Sequence, residues 1–270
     1  MIVTLSTIPP RFGEIGKTLK SILHQKLPAE QIILYIPKSY RRFPEWGGAL
    51  PSVPDGVSIH RTETDLGPAT KVLPAVREFA GKSTDILFCD DDVVYDPHWT
   101  RRFADLRKTM PKACLAEAGK DIADIAPASR SPERLPRAGG GVRDWRFRLA
   151  SIIRHRQRRA SFFLNSGYCD VFLGVSGVMV RPEFFSQTAF DIPEILWTVD
   201  DFWLSGHLET RGVPIWLNAD APRRADRASR KVESLKAMVH DGYDRHAANQ
   251  ACVDYYRQNY GIWQPTAHTA

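Results

Sequence analysis

The sequence predicts an α/β fold in which a central, mainly parallel sheet is flanked by helices. Three observations point there. Short runs dense in Ile, Val, Leu and Phe recur along the chain and end at Pro, Gly or Asp. Segments of helical period lie between them. The 270 residues, 43% hydrophobic and 25% charged, are enough for a full core and lack the bias of disordered, collagen-like or coiled-coil chains. Strand–helix–strand order with apolar strands is the start of a parallel sheet.

The elements follow in order. Residues 2–5, Ile-Val-Thr-Leu, read as the first strand, which enters a loop at Ser6-Thr7 and Pro9-Pro10. Ile15, Leu19, Ile22 and Leu23 recur at helical spacing, so a helix is expected over 13–25, stopped by Leu27-Pro28. A second strand spans 31–36 and ends at Pro37, and 40–56, rich in Pro and Gly, is a surface loop. A short strand at 57–61 precedes a helix at 69–79 that Pro74 begins or bends. The fourth strand, 85–89, has Asp90, Asp91 and Asp92 at its C-terminal end. A helix at 99–110 follows, then a segment at 127–143 with three prolines and Gly139-Gly-Gly, expected to be a mobile insertion. Residues 169–180 read as one strand rich in small residues. A helix starts near Val199 with carboxylates in its first turn, 214–217 is a further strand, and 228–260 is mainly helical.

Charge and cysteines narrow the function. The net charge of +6 is uneven: residues 130–159 hold ten arginines against Glu133 and Asp144, so this stretch carries +8 and the rest nets −2. Such focusing suggests one basic surface. Cys89, Cys114, Cys169 and Cys252 are scattered without a Cys-x-x-Cys pair, which suggests neither a zinc site nor a disulfide framework and fits reduced thiols in the cytosol. No apolar run approaches the roughly 18 residues that span a bilayer, and the N-terminus lacks a basic leader, so a cytoplasmic location is expected.

Four constellations carry chemistry. Asp90, Asp91 and Asp92 repel one another at the end of a strand, where α/β sheets bind ligands. Mg²⁺ or Mn²⁺ would relieve that repulsion, since both prefer oxygen ligands and complete their shells with phosphate oxygens and water. A solvated acidic turn is the bland alternative. Asp200 and Asp201 open a helix, which the macrodipole alone favours, but a carboxylate with a carboxylate neighbour is also a candidate general base. Asp65-Leu-Gly-Pro-Ala-Thr-Lys71 is a shaped loop that could hold a nucleotide, or a plain turn. From Trp145 to Phe163, arginines alternate with Phe, Ile and Leu, a mixture that suits anionic lipid, an acidic acceptor, nucleic acid or a solvated face.

Taken together, these pieces resemble the family 2-like glycosyltransferases of the GT-A fold. Residues 3–11 look like the first strand and donor loop, and 18–25, ending in Gln25, like the helix that follows. Asp90-Asp91-Asp92 stands where the family carries its Asp-x-Asp motif, 174–180 looks like the small-residue acceptor strand, and Asp200-Asp201-Phe-Trp-Leu like the acidic pair that supplies the base. The resemblance implies a mixed, mainly parallel sheet, a nucleotide-diphospho-sugar donor such as a UDP-sugar, a Mn²⁺ or Mg²⁺ ion and inversion at the anomeric carbon. Asp92 would bind the metal and Asp90 the metal or the ribose, with Asp91 in the same donor-binding run. Asp201 would be the base, with Asp200 beside it as the alternative. Thr7, Arg11, Asp65 and Lys71 would lie near the nucleotide. The chain departs from many relatives at Pro37-Lys38, where they carry an acidic residue that reads the base. His240 and His246 are candidates for a C-terminal metal ligand.

A single GT-A-like domain is expected: a nucleotide-sugar-binding half at 1–125, an arginine-rich insertion at 126–165, and an acceptor half with C-terminal helices at 166–270. The acceptor would be a glycan or lipid-linked hydroxyl in cell-envelope polysaccharide synthesis. Arg143 to Arg159 would make peripheral contact with an anionic membrane at its inner face, and no nucleic acid partner is expected. Two other readings stay open. Asp90-Asp-Asp-Val-Val also fits a haloacid-dehalogenase-like phosphatase, with Asp90 as nucleophile, Asp92 as acid/base and Asp200-Asp201 on Mg²⁺. The arginine segment alone would fit a non-enzymatic basic-surface binding protein.

Overall fold

The computed structural model describes residues 1–140, 163–221 and 245–266. Its strands are β1 (Ile2–Ser6), β2 (Gln31–Pro37), β3 (Val57–Thr62), β4 (Ile86–Phe88), β5 (Cys114–Ala116), β6 (Gly119–Lys120), β7 (Gly139–Gly140), β8 (Phe163–Asn165), β9 (Gly167–Cys169), β10 (Val171–Phe172), β11 (Val178–Val180) and β12 (Ile215–Leu217). Its helices are α1 (Gly16–Leu23), α2 (Leu73–Glu78), α3 (Trp99–Thr109), α4 (Asp200–Thr210) and α5 (Arg245–Tyr260).

Eight strands form one sheet in the order β3-β2-β1-β4-β11-β5-β12-β9. Neighbours from β3 to β4 are parallel, as are β5 and β12. Strand β11 runs antiparallel to β4 and β5, and β9 antiparallel to β12. The α/β class and the mixed, mainly parallel sheet are therefore as the sequence predicts, and the sheet draws strands from both expected halves.

Alternation along each strand explains why these runs look almost continuously apolar. Ile33 and Tyr35 of β2, Ile86 and Phe88 of β4, and Val178 and Val180 of β11 join the core on one face of the sheet, which α4 and α5 cover with Phe202, Leu204, Cys252 and Tyr256. Val3, Leu5, Leu34, Leu87 and Met179 enter the core on the other, against Leu19 and Ile22 of α1 and Trp99 and Phe103 of α3. A strand covered on both faces is apolar at nearly every position, and the one buried polar side chain of β1, Thr4, is hydrogen-bonded to Lys71 O. Each fully buried Leu or Ile contributes about 1.5–3 kcal/mol.

Several expectations need correction. Residues 169–180 are not one strand: β9, β10, a 3-10 turn (Gly174–Ser176) and β11 share that stretch. The break sits at Gly177, with φ +97°, where a Cβ would come 2.6 Å from the Trp99 ring. Only Gly fits a backbone turned this way and pressed this closely on an indole. Trp99 Nε1 also donates to Ser176 O at 2.8 Å, so α3 holds the turn in place. The helix expected at 69–79 opens instead as a 3-10 turn (Gly67–Lys71), and α2 begins at Leu73 with Pro74 in its first turn. The three-residue β5, between β11 and β12, was not expected at all. Of the helical tail expected at 228–260, α5 is the described part.

The flanks of the arginine-rich insertion are anchored by ion pairs. Asp170 pairs with Arg130 (2.7 Å) and Arg137 (2.6 Å), and Arg134 pairs with Glu209 of α4. Arg143 to Arg159, the expected membrane contact, lie outside the described residues. Among the described residues no helix is long and apolar enough to cross a membrane.

Candidate active site

Strand order creates the site. The chain leaves β1 toward β2 and β3 on one side, then returns to lay β4 on the other. The loops after β1 and β4 thus flank a switch point, the place where open α/β sheets bind ligands. A cleft there is lined by Thr7, Arg11, Asp65, Lys71, Asp90, Asp91, Asp92, Asp200 and Asp201, so these nine of the residues expected in binding or catalysis meet in one place.

The three aspartates after β4 have different surroundings. Asp91 is spent on the fold. Its Oδ2 accepts from Thr7 Oγ1 at 2.6 Å, its Oδ1 from Arg11 Nη1 at 2.7 Å, and its backbone carbonyl from Thr18 Oγ1 at 2.8 Å. Burial pushes the Asp91 carboxyl up, against the pull of Arg11 and Thr7. Thr7 and Arg11, expected near the nucleotide, line the cleft with these side chains turned to Asp91. Asp90 Oδ1 accepts from Lys71 Nζ at 2.8 Å, and Tyr95 OH donates to its carbonyl at 3.2 Å. Gln25 steadies the loop from below, donating to Asp96 O at 2.8 Å while its carbonyl accepts from Thr100 N at 3.1 Å.

The acidic pair at the start of α4 is buried. Asp200 Oδ2 lies 3.0 Å from Lys71 Nζ. Asp201 Oδ1 accepts from Gly174 N at 2.9 Å. Burial, and then the Asp200 charge beside it, raises the Asp201 carboxyl to about 7. A carboxyl poised there can take up a proton at neutral pH.

Asp65 borders the far end of the cleft. Its oxygens accept from the backbone N–H of Arg41 and of Gly67, both at 2.9 Å, and burial raises its pKa against those bonds. Trp197 Nε1 donates to Asp65 O at 3.2 Å, and its indole occupies the space that a Cβ on Gly67 would need. Sequence reasoning missed Trp197, Tyr40, Arg42, Phe43 and Arg245, all of which line the cleft. The first four stand in irregular segments with no period, and Arg245 opens a helix among many arginines. Gly174 had a signal, the small-residue run it begins.

Asp90 and Asp92 are the carboxylates that could hold a divalent cation. Among the described residues no group of three or more His, Cys, Asp or Glu side chains is arranged as a metal site. A cation here would rest on two hard oxygen ligands, with phosphate oxygens and water completing its shell, which suits Mg²⁺ or Mn²⁺. His246 is exposed on α5 and is not among the cleft residues, while His240 lies outside the described residues.

No protein-family model matches the chain, and no curated protein matches it. Among solved structures it is similar to S. aureus TarS 1-349, at 14% identity and a TM-score of 0.43, over 82% of this chain and 58% of that one. It is similar also to TarS 1-349 in complex with UDP, at 15% identity and a TM-score of 0.42, over 82% and 58%. With the UDP-GlcNAc complex of TarS 1-349 the figures are 14% and 0.43, over 96% and 72%. The chain spans less than two thirds of the first two of these structures.

Proposed function

We propose that this chain is a glycosyltransferase of the GT-A type that moves a sugar from a nucleotide-diphospho-sugar, a UDP-sugar, to an acceptor hydroxyl with inversion. The observation that carries this reading is that the Asp90–Asp92 run and the Asp200–Asp201 pair line one cleft, with Asp201 raised to about 7. The acceptor hydroxyl attacks the anomeric carbon as the bond from that carbon to the diphosphate oxygen breaks. The diphosphate leaves with the electron pair, and the hydroxyl proton passes to Asp201. Gly174 N–H holds one oxygen of Asp201, which fixes the direction of the other. Asp90 and Asp92 would hold a Mn²⁺ or Mg²⁺ ion, which supplies positive charge to the leaving diphosphate. Asp91, Thr7 and Arg11 keep that loop in shape.

The acceptor class, a glycan or lipid-linked hydroxyl in cell-envelope polysaccharide synthesis, follows from the family resemblance rather than from any one residue.

The test is a thermal-shift screen of nucleoside diphosphates and sugar nucleotides, with and without Mn²⁺. A ligand at 100 times its Kd stabilises a fold by about 2.7 kcal/mol. Metal-dependent stabilisation by UDP, absent in Asp92→Ala, is the expected result. Silence with every nucleotide, together with hydrolysis of a simple phosphate ester, would replace this reading with the phosphatase.

A further inference from the structure

Lys71 joins the two acidic groups. It ends the 3-10 turn Gly67–Lys71, and its carbonyl accepts from Thr4 Oγ1 of β1 at 2.7 Å, so its backbone is tied to the central strand. Its side chain is 7% exposed and its ammonium lies 2.8 Å from Asp90 Oδ1 and 3.0 Å from Asp200 Oδ2. One cation thus touches the loop after β4 and the first residue of α4. The space around it is closed on a third side, because a Cβ on Gly174 would come 2.7 Å from Lys71 Nζ and 3.2 Å from Asp201 Oδ1.

We infer that Lys71 is a positioning residue, whose ammonium clamps Asp90 to Asp200 and so sets the Asp201 carboxylate against the donor end of the cleft. The sequence suggests a nucleotide contact for this lysine; the geometry points to a role carried through other residues. A nucleotide-binding lysine offers its ammonium to phosphate, whereas this one is already shared between two carboxylates. The clamp also gives a reason for Gly174: the same glycine admits the ammonium and lends its N–H to Asp201. The catalytic part of this inference rests on the glycosyltransferase reading; the clamp itself does not.

Two measurements test it. The first needs no activity. Lys71→Met strands the buried Asp200 carboxylate and the half-buried Asp90 carboxylate, and should lower Tm by about 10 °C. Asp200→Asn in the Lys71→Met background should recover about half of that loss, the non-additivity of a direct pair. Strictly additive effects would overturn the clamp. The second is a split between binding and turnover, with UDP and Mn²⁺ as the probe. In Lys71→Met the UDP Kd should stay within about threefold while kcat falls about 100-fold, the loss expected when reacting groups shift by an ångström. Lys71→Arg should keep kcat within about tenfold, because it preserves the charge. A UDP affinity that falls as far as kcat would make Lys71 a nucleotide ligand and overturn the positioning role. If the unaltered protein neither binds UDP nor transfers sugar, the glycosyltransferase reading fails while the stability cycle still decides the clamp.

Discussion

The Asp90–Asp92 run and the Asp200–Asp201 pair both set carboxylates side by side, yet the fold relieves the crowding in different ways. In the loop after β4, the middle residue is neutralised by Thr7 and Arg11 and becomes part of the scaffold. At the start of α4, Asp200 is matched to Lys71, while Asp201 keeps a single backbone hydrogen bond and a raised pKa. Both runs look alike in one dimension. Their surroundings differ because the fold gives the carboxylates unequal burial and unequal partners, and Asp201, buried beside Asp200, is raised into the range where a proton is exchanged near neutral pH.

The sharpest way to break this contrast is Asp201→Asn. It should reduce transfer about 10³-fold, within the range for loss of a general base, with UDP affinity retained by calorimetry. Its stability should move the opposite way. Because the folded-state pKa of Asp201 lies above the ordinary carboxylate value, the folded protein binds more protons than the unfolded chain between about pH 4 and 7, and stability falls as pH rises through that window. Asp201→Asn removes the term, so above pH 7 it should melt higher than the unaltered protein. A lower Tm at pH 8 would contradict the assignment.

Next in size is the pH dependence of kcat/KM. Asp201 must be ionised to accept a proton, so activity should drop about tenfold per unit below an apparent pKa of about 7, roughly 100-fold by pH 5. A flat profile from pH 5 to 8 would remove Asp201 from the proton transfer. Asp91→Ala probes the other side of the comparison. It removes the hydrogen bonds that Arg11 and Thr7 make to Asp91 and should cost about 3–5 kcal/mol, a Tm loss near 10 °C read by calorimetry. The smallest effect is the control. Lys38 and Glu63 form a pair of 2.5 Å, but their side chains are 56% and 80% exposed, and Lys38→Ala should shift Tm by less than about 2 °C.

Much of the fold was legible before the structure. The runs at 2–5, 31–36 and 85–89 are strands within a residue or two, because a strand buried on both faces leaves an apolar stretch that solvent-facing segments cannot imitate, while the edge strand at 57–61 showed only as a short Val and Ile alternation. Three-residue strands such as β5 leave almost no trace: Cys-Leu-Ala has no period to detect, and its place between β11 and β12 comes from hydrogen bonds to distant residues. The break within 169–180 was equally hidden, since it depends on the Trp99 ring, supplied by another helix.

The sequence by itself determined the α/β class, the strand end that carries three aspartates and the helix start that carries two. These are local properties, written in periodicity, propensity and composition. Only the tertiary structure decided which partner each carboxylate meets. Asp91 became scaffold through Thr7, 84 residues away, and Lys71 came to lie between Asp90 and Asp200. Neighbouring aspartates are chemically identical in the chain. What separates them is burial and the charge of the partner in reach, and both exist only once the sheet has brought remote segments together.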